Sequence, residues 1–117
     1  MKNDNEHATD GPVLRFPHWY DERTEFETPQ KGYFDHAVVE ASDGTRYAVH
    51  FTDPVRLQQD LEEYARLNTP YFAAPGLIVL PEVTTHAMRD AVRGLWRSGY
   101  FESLRPMTKS ELVAAGN

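Results

Sequence analysis

The stretch HAVVEASDGTRYAVH, residues 36–50, decides the fold of this chain. Two runs rich in alternating apolar residues flank the dipeptide Asp43-Gly44, a pattern typical of a β-hairpin. A two-residue loop would put Glu40 on one face with large apolar side chains, and burying that carboxylate without a partner is costly. A three-residue loop with Gly44 in the left-handed bulge position instead pairs Glu40 with Arg46. We therefore predict the longer loop.

This register sorts the hairpin side chains onto two faces. The face expected to point at the core carries Ala37, Val39, Ala41, Tyr47, Val49 and Phe51. The other face places His36 directly opposite His50, with β-carbons about 5 Å apart, so the two imidazoles could hold one zinc or nickel ion. A protein zinc site needs three or four ligands. The candidates for a third ligand are His18, Asp35 and Asp53.

Two helices and one more strand follow the hairpin. Asp53 as a cap and Pro54 at the first helical position predict a helix start. The apolar run at residues 77–80 predicts a strand covered on both faces. A second helix is expected over residues 84–98, ending at Gly99. Because a crossover helix returns the chain parallel to the strand it left, the third strand should run parallel to the second.

These elements predict an α+β fold, a two-layer sandwich with a ββαβα core. The small, mostly antiparallel sheet is expected in the strand order 2-1-3, where the hairpin strands are counted as 1 and 2 and the strand at residues 77–80 as 3. Both helices are expected on one face. Residues 101–105 could add a short edge strand, and Thr108 with Glu111 forms a capping box for a final helix. The sheet's other face, with Val38 and Ala48, is too apolar to stay bare, so either the N-terminal arm or another subunit should cover it.

The chain before the hairpin predicts a different organisation. Residues 1–12 are polar and are expected to be a disordered tail, whereas residues 13–34 form an aromatic arm. Pro17 and Pro29 argue against a continuous helix, so the arm is predicted to be extended. We divide the chain into this tail and arm, residues 1–34, and a single α+β domain, residues 35–117. The side chains predicted to contact a protein are Trp19, Tyr20 and Phe26 of the arm and Tyr71 and Phe72 of a later loop.

Composition narrows the function classes. The absence of cysteine excludes disulfides, thiolate nucleophiles and cysteine-ligated metal centres. A net charge of -6 argues against nucleic-acid binding, which depends on neutralising phosphates. No apolar run is long enough for a signal peptide or a membrane span, so a cytoplasmic, non-membrane protein is expected. No motif in the sequence indicates a cofactor.

Arg89, Arg93 and Arg97 recur every four residues on the second helix and form a stripe. Such a stripe could hold phosphate or nucleic acid, or it could be a solvated face neutralised by Asp90 and neighbouring glutamates. We favour the solvated face because the molecule as a whole is acidic.

The sequence favours a non-enzymatic protein-interaction or accessory domain that binds a protein partner or a second copy. This hypothesis rests on the surplus of aromatic area in the arm, outside the predicted core. Two alternatives stay open. One is a metal-binding protein or metal-dependent enzyme using His36 and His50, and the other is anion or nucleic-acid binding through Arg89, Arg93 and Arg97.

Overall fold

The computed structural model of this chain describes residues 11–108, which form a four-stranded sheet and three α-helices. In chain order the elements are β1 (Val13–Arg15), α1 (Glu22–Lys31), β2 (Tyr33–Glu40), β3 (Arg46–Thr52), α2 (Pro54–Arg66), β4 (Leu77–Val79), α3 (Thr85–Arg97) and a 3-10 helix (Tyr100–Ser103). The predicted α+β class is confirmed. Most of the predicted N-terminal tail and the predicted final helix after Thr108 lie outside the described residues.

The hairpin between β2 and β3 has the predicted three-residue loop. The Ala41 amide donates to the Thr45 carbonyl at 2.8 Å, and Gly44 has a φ of +89° in the left-handed region. Glu40 pairs with Arg46 across the strands. Asp43 stabilises the turn by accepting a hydrogen bond from the Thr45 amide at 2.9 Å. The prediction of this register near the turn is therefore confirmed.

Glu40 makes part of the hairpin's stability depend on pH. The Arg15 side chain hydrogen-bonds Glu40 and holds the pKa of its carboxyl below the usual range, and Arg46 acts in the same direction. A lowered pKa in the folded state stabilises the protein above about pH 4.3, and this stabilisation is lost as the pH falls through the folded-state pKa. The hairpin should therefore weaken in acid.

Glu40→Gln is expected to be less stable than the wild-type protein at pH 7, and the difference should shrink at pH 3, because the stabilisation from a lowered carboxyl pKa is lost as the pH falls through it. Urea unfolding at the two pH values measures the difference. Glu102→Gln, a change at an exposed glutamate of the 3-10 helix, is the matched control. A destabilisation by Glu40→Gln that is equal at both pH values would contradict the ion-pair explanation.

A β-bulge interrupts the hairpin away from the turn. Phe34 pairs with Phe51 and Ala37 pairs with Val49, so Asp35 and His36 together oppose His50. The predicted direct pairing of His36 with His50 is therefore wrong. Strict alternation outward from Ala37 would point Phe34 away from the core, whereas the extra residue turns it inward, where it is buried. Burial of a phenylalanine side chain contributes about 1.5–3 kcal/mol and favours the bulge.

The strand order differs from the prediction. β4 runs parallel to β3, as expected, but it lies beside β3 rather than beside β2. The free edge of β2 is occupied instead by β1, which pairs antiparallel with residues 38–40. The predicted order 2-1-3 is wrong because the arm itself supplies an edge strand.

The core lies between the sheet and α3. It contains Leu14, Phe34, Ala37, Val39, Val49, Phe51, Ile78, Leu80, Val83, Met88, Val92 and Phe101. Met88 and Val92 are the buried positions of α3, whereas no residue of α2 is buried. The predicted layering of both helices on one face is not confirmed. Phe101 enters the core from the 3-10 helix, so the edge strand predicted for residues 101–105 is replaced by this turn of helix.

Both predicted helix starts are confirmed. The Asp53 carboxylate accepts a hydrogen bond from the Arg56 amide at 2.7 Å, and the Thr84 hydroxyl accepts one from the Ala87 amide at 3.0 Å. Each bond satisfies a backbone donor that the first turn of a helix leaves free. Gly99 follows α3 with a φ of +86°.

Helix α1 was not predicted, and the arm is not extended over residues 22–31. The Asp21 carboxylate caps α1 by accepting from the Thr24 amide at 2.9 Å, and Gly32 ends the helix with a φ of +81°. Pro29 lies within its last turns. Asp21 and Gly32 are capping signals for this helix in the sequence, whereas Pro29 argued against it. Within residues 11–108, none of the helices combines the length and hydropathy needed to cross a bilayer.

Candidate functional site

The aromatic side chains of the arm divide into a packed group and an exposed group. Phe16 and Tyr20 stack with ring centroids 4.2 Å apart and pack against the core. The Tyr20 hydroxyl hydrogen-bonds the Thr85 hydroxyl at 2.6 Å, which ties the arm to the start of α3. Burial raises the pKa of the Tyr20 phenol. Trp19 and Phe26 form the exposed group, with 46% and 71% of their surface accessible.

Trp19 is held in place although half of it is exposed. Its ring centroid lies 5.4 Å from that of His36 in an edge-to-face arrangement and 6.0 Å from that of the buried Phe34. The His36 ring also meets Phe34 edge-to-face at 6.0 Å. These contacts restrict the indole before any ligand arrives, which lowers the entropic cost of binding. We name the patch formed by Trp19, Asp35 and His36 the Trp19 surface.

The Trp19 surface includes one carboxylate. The Asp35 carboxylate lies 3.1 Å from Nε2 of His36, and the two side chains are 47% and 62% exposed, respectively. Asp21 and Glu22 follow Trp19 closely in the chain and are exposed at the start of α1. Hydrogen bonds from Thr24 lower the pKa of the Asp21 carboxyl, so this group is ionised at neutral pH. Asp35 therefore places one carboxylate beside the His36 ring that contacts the indole.

The loop residues predicted to contact a protein are placed elsewhere. Phe72 is half-buried and stacks on Tyr64 of α2, with ring centroids 5.5 Å apart. Tyr71 is 68% exposed and lies in the loop between α2 and β4. Of the five predicted contact residues, Trp19, Phe26 and Tyr71 are exposed, whereas Tyr20 and Phe72 serve packing. The structure brings Trp19 together with His36, a partner that the sequence did not identify.

The two histidines of the hairpin have different surroundings. His36 contacts Trp19 and Phe34. His50 lies on β3, the strand opposite the bulge, and lines a cleft with Ala48. Among residues 11–108, no three histidine, aspartate or glutamate side chains converge in a way that could hold a metal ion. The third ligand required by the metal hypothesis is therefore missing from the part of the chain that the structure describes.

The arginine stripe on α3 makes separate local contacts. The Arg89 guanidinium lies over the Phe16 ring, 5.4 Å from its centroid. Arg93 is ion-paired with Asp90, whose other carboxylate oxygen lies 2.9 Å from Nε2 of His86. Arg97 is exposed at the end of the helix. These contacts match the solvated-face interpretation, in which Asp90 neutralises part of the stripe.

The sequence did not predict the contact between His36 and Trp19. His36 reaches Trp19 because a bulge changes the direction of β2 between Phe34 and Ala37. The sequence did carry a signal for the bulge, because under strict alternation the large apolar Phe34 would have faced away from the core.

Comparison with known protein families, with curated proteins and with solved structures finds no match to this chain.

Proposed function

We propose that this protein is a non-enzymatic interaction domain that binds a partner protein through the Trp19 surface. The observation that carries the proposal is that the Trp19 indole is half exposed and yet fixed by the rings of Phe34 and His36. Tryptophan is enriched among the residues that dominate binding energy at protein interfaces. An exposed, ordered indole is the arrangement that such an anchor requires.

The partner is a segment that carries basic side chains. A lysine or arginine over an exposed tryptophan ring gains cation–π attraction, about 0.5–2 kcal/mol depending on its exposure to water. The carboxylates of Asp35 and Asp21 add electrostatic attraction for the same cation, and the chain's net charge of -6 favours the approach of a basic partner. In this proposal the protein belongs in the cytoplasm.

The alternatives have less support. The metal-binding hypothesis lacks a third ligand among the described residues. The anion-binding hypothesis needs unengaged guanidinium groups along the α3 stripe, whereas Arg89 lies over Phe16 and Arg93 is paired with Asp90. A second copy as the partner would bring two acidic Trp19 surfaces together in a symmetric dimer, which like charges disfavour.

Replacing Trp19 with alanine is expected to weaken binding of a short fluorescein-labelled peptide of alternating arginine and serine by at least about tenfold, or about 1.4 kcal/mol. Fluorescence anisotropy measures the affinity. A glutamine–serine peptide tests the need for a cation, and Tyr71→Ala is the matched control, because Tyr71 is exposed outside the Trp19 surface.

The proposal fails if the wild-type protein does not bind the basic peptide, or if Trp19→Ala binds it as well as the wild type does. Wild-type dimers in sedimentation that Trp19→Ala abolishes would identify a second copy as the partner, against a basic segment. Thermal unfolding of Trp19→Ala checks that the fold is retained.

A further inference from the structure

The face of the sheet that points away from the core is open around the hairpin. Val39 and Val49 are buried, so their strand neighbours Val38 and Ala48 point to the opposite side, which we name the outer face. Ala48 is exposed and Val38 is half-buried. The aromatic arm does not cover these positions with Phe16 and Tyr20, because those rings pack against the core instead.

Around Val38 and Ala48, the outer face carries two arginines and one glutamate. Strand pairing places Val38 between Arg15 and Ala48, and it places Glu40 between Val13 and Arg46. Glu40 accepts a hydrogen bond from Arg15 at 2.5 Å and from Arg46 at 3.5 Å. One carboxylate thus faces two guanidinium groups, and one positive charge is left over.

A cleft of about 200 Å³ adjoins this face beside β3. Its lining residues are Ala48, His50, Pro75, Leu104, Arg105 and Met107. The Met107 amide donates to the Arg46 carbonyl at 2.8 Å, which fixes the chain after the 3-10 helix along the edge of β3. The cleft thus combines an apolar floor with a guanidinium and an imidazole, next to the arginines of the outer face.

We propose that the outer face and this cleft form a second binding surface, which takes an acidic segment of a partner protein. An apolar side chain of that segment enters the cleft against Ala48, Leu104 and Met107, and its carboxylates meet Arg46 and Arg105. This site lies on the same side of the sheet as His36, which opposes His50 across the strands, and it has the opposite charge preference from the Trp19 surface. It does not depend on the function proposed above.

The charge and the apolar character of the site favour an acidic peptide segment over a second copy and over nucleic acid. A symmetric dimer through the outer face would set the Arg15 and Arg46 groups of one copy against those of the other. Nucleic acid offers phosphates for the arginines but no apolar side chain for the cleft beside Ala48, Leu104 and Met107. An acidic peptide segment satisfies both the charge and the apolar character of the site.

The probe for this site is a short labelled peptide of alternating glutamate and valine, with a glutamine–valine peptide to test the need for charge. Ala48→Glu places a negative charge at an exposed position of the outer face and is expected to weaken binding of the acidic peptide by about tenfold or more. Arg46→Gln should weaken it as well. Trp19→Ala, the matched control from the other surface, should leave this affinity unchanged, and added salt should lower it.

Four results would overturn the inference. The first three are that the wild-type protein does not bind the acidic peptide, that it binds the neutral peptide equally well, and that Ala48→Glu binds the acidic peptide as well as the wild type does. The fourth is binding of another occupant that Ala48→Glu abolishes, either a second copy seen in sedimentation or a short DNA duplex seen in a gel shift. Because Ala48 is exposed, thermal unfolding of Ala48→Glu is expected to match the wild type.

Discussion

Replacing Phe51 with alanine is expected to lower the free energy of unfolding by about 3–5 kcal/mol. Phe51 is 1% exposed and lies near the end of β3, where it pairs with Phe34 on one side and with Ile78 on the other. Its removal would leave a cavity among buried neighbours that belong to three strands. Since small domains have about 5–15 kcal/mol of stability in total, this single change should leave the protein marginally folded.

Urea unfolding followed by circular dichroism measures this effect. Phe26→Ala removes the same side chain from an exposed position of α1 and is expected to change the stability by no more than about 0.5 kcal/mol. Similar losses for the two variants would show that Phe51 is not a central core residue.

Replacing Gly76 with alanine is expected to cost about 2 kcal/mol or more, for two reasons. Gly76 has a φ of +79°, which strains any residue with a β-carbon. A β-carbon at this position would also lie 2.4 Å from the carbonyl oxygen of Ala48, which is backbone and cannot swing aside. The loop before β4 therefore has to shift, and the pairing of β4 with β3 should weaken.

Gly44→Ala separates the two causes. Gly44 has a φ of +89°, but a β-carbon there would meet no atom within 4 Å. Its loss of stability measures the backbone strain alone, and the excess for Gly76→Ala measures the contact with Ala48. Chemical denaturation of the two variants gives both values, and a Gly76→Ala protein no less stable than Gly44→Ala would contradict the close approach.

The Gly76 contact also concerns the second proposed site. Gly76 approaches the backbone of Ala48, whose side chain lines the cleft on the outer face. A shift of this loop would move Pro75, another lining residue, and should disturb binding of the acidic peptide. Phe51→Ala, in contrast, acts on the core side of the sheet.

The two proposed surfaces give the protein two binding preferences of opposite sign. In the proposed Trp19 surface, the indole and the carboxylates of Asp35 and Asp21 bind a basic segment. In the proposed second surface, the apolar cleft with Arg46 and Arg105 binds an acidic segment. In this proposal one domain can hold a basic segment and an acidic segment at once. The variants Trp19→Ala and Ala48→Glu test the two surfaces independently.

The sequence predicted the features that depend on neighbouring residues. The loop of the hairpin followed from the cost of burying Glu40, and the starts of α2 and α3 followed from Asp53 and Thr84, whose side chains cap the backbone within three residues. Helix α1 had equivalent signals in Asp21 and Gly32. Pro29 argues against a helix here because it lacks an amide donor, yet α1 contains Pro29 and ends at Gly32, three residues later.

By itself, then, the sequence determined the α+β class, the register near the hairpin turn and the starts of α2 and α3, because these depend on local hydrogen bonds and on alternation. It also determined the parallel direction of β4, which follows from the crossover through α2. Only the tertiary structure decided the strand order, the bulge and the exposure of Trp19. The strand order depends on which segment pairs with the free edge of β2, and β1 occupies it. The bulge depends on burying Phe34 against Phe51, a contact between residues distant in the chain, and the position of His36 beside Trp19 follows from that contact.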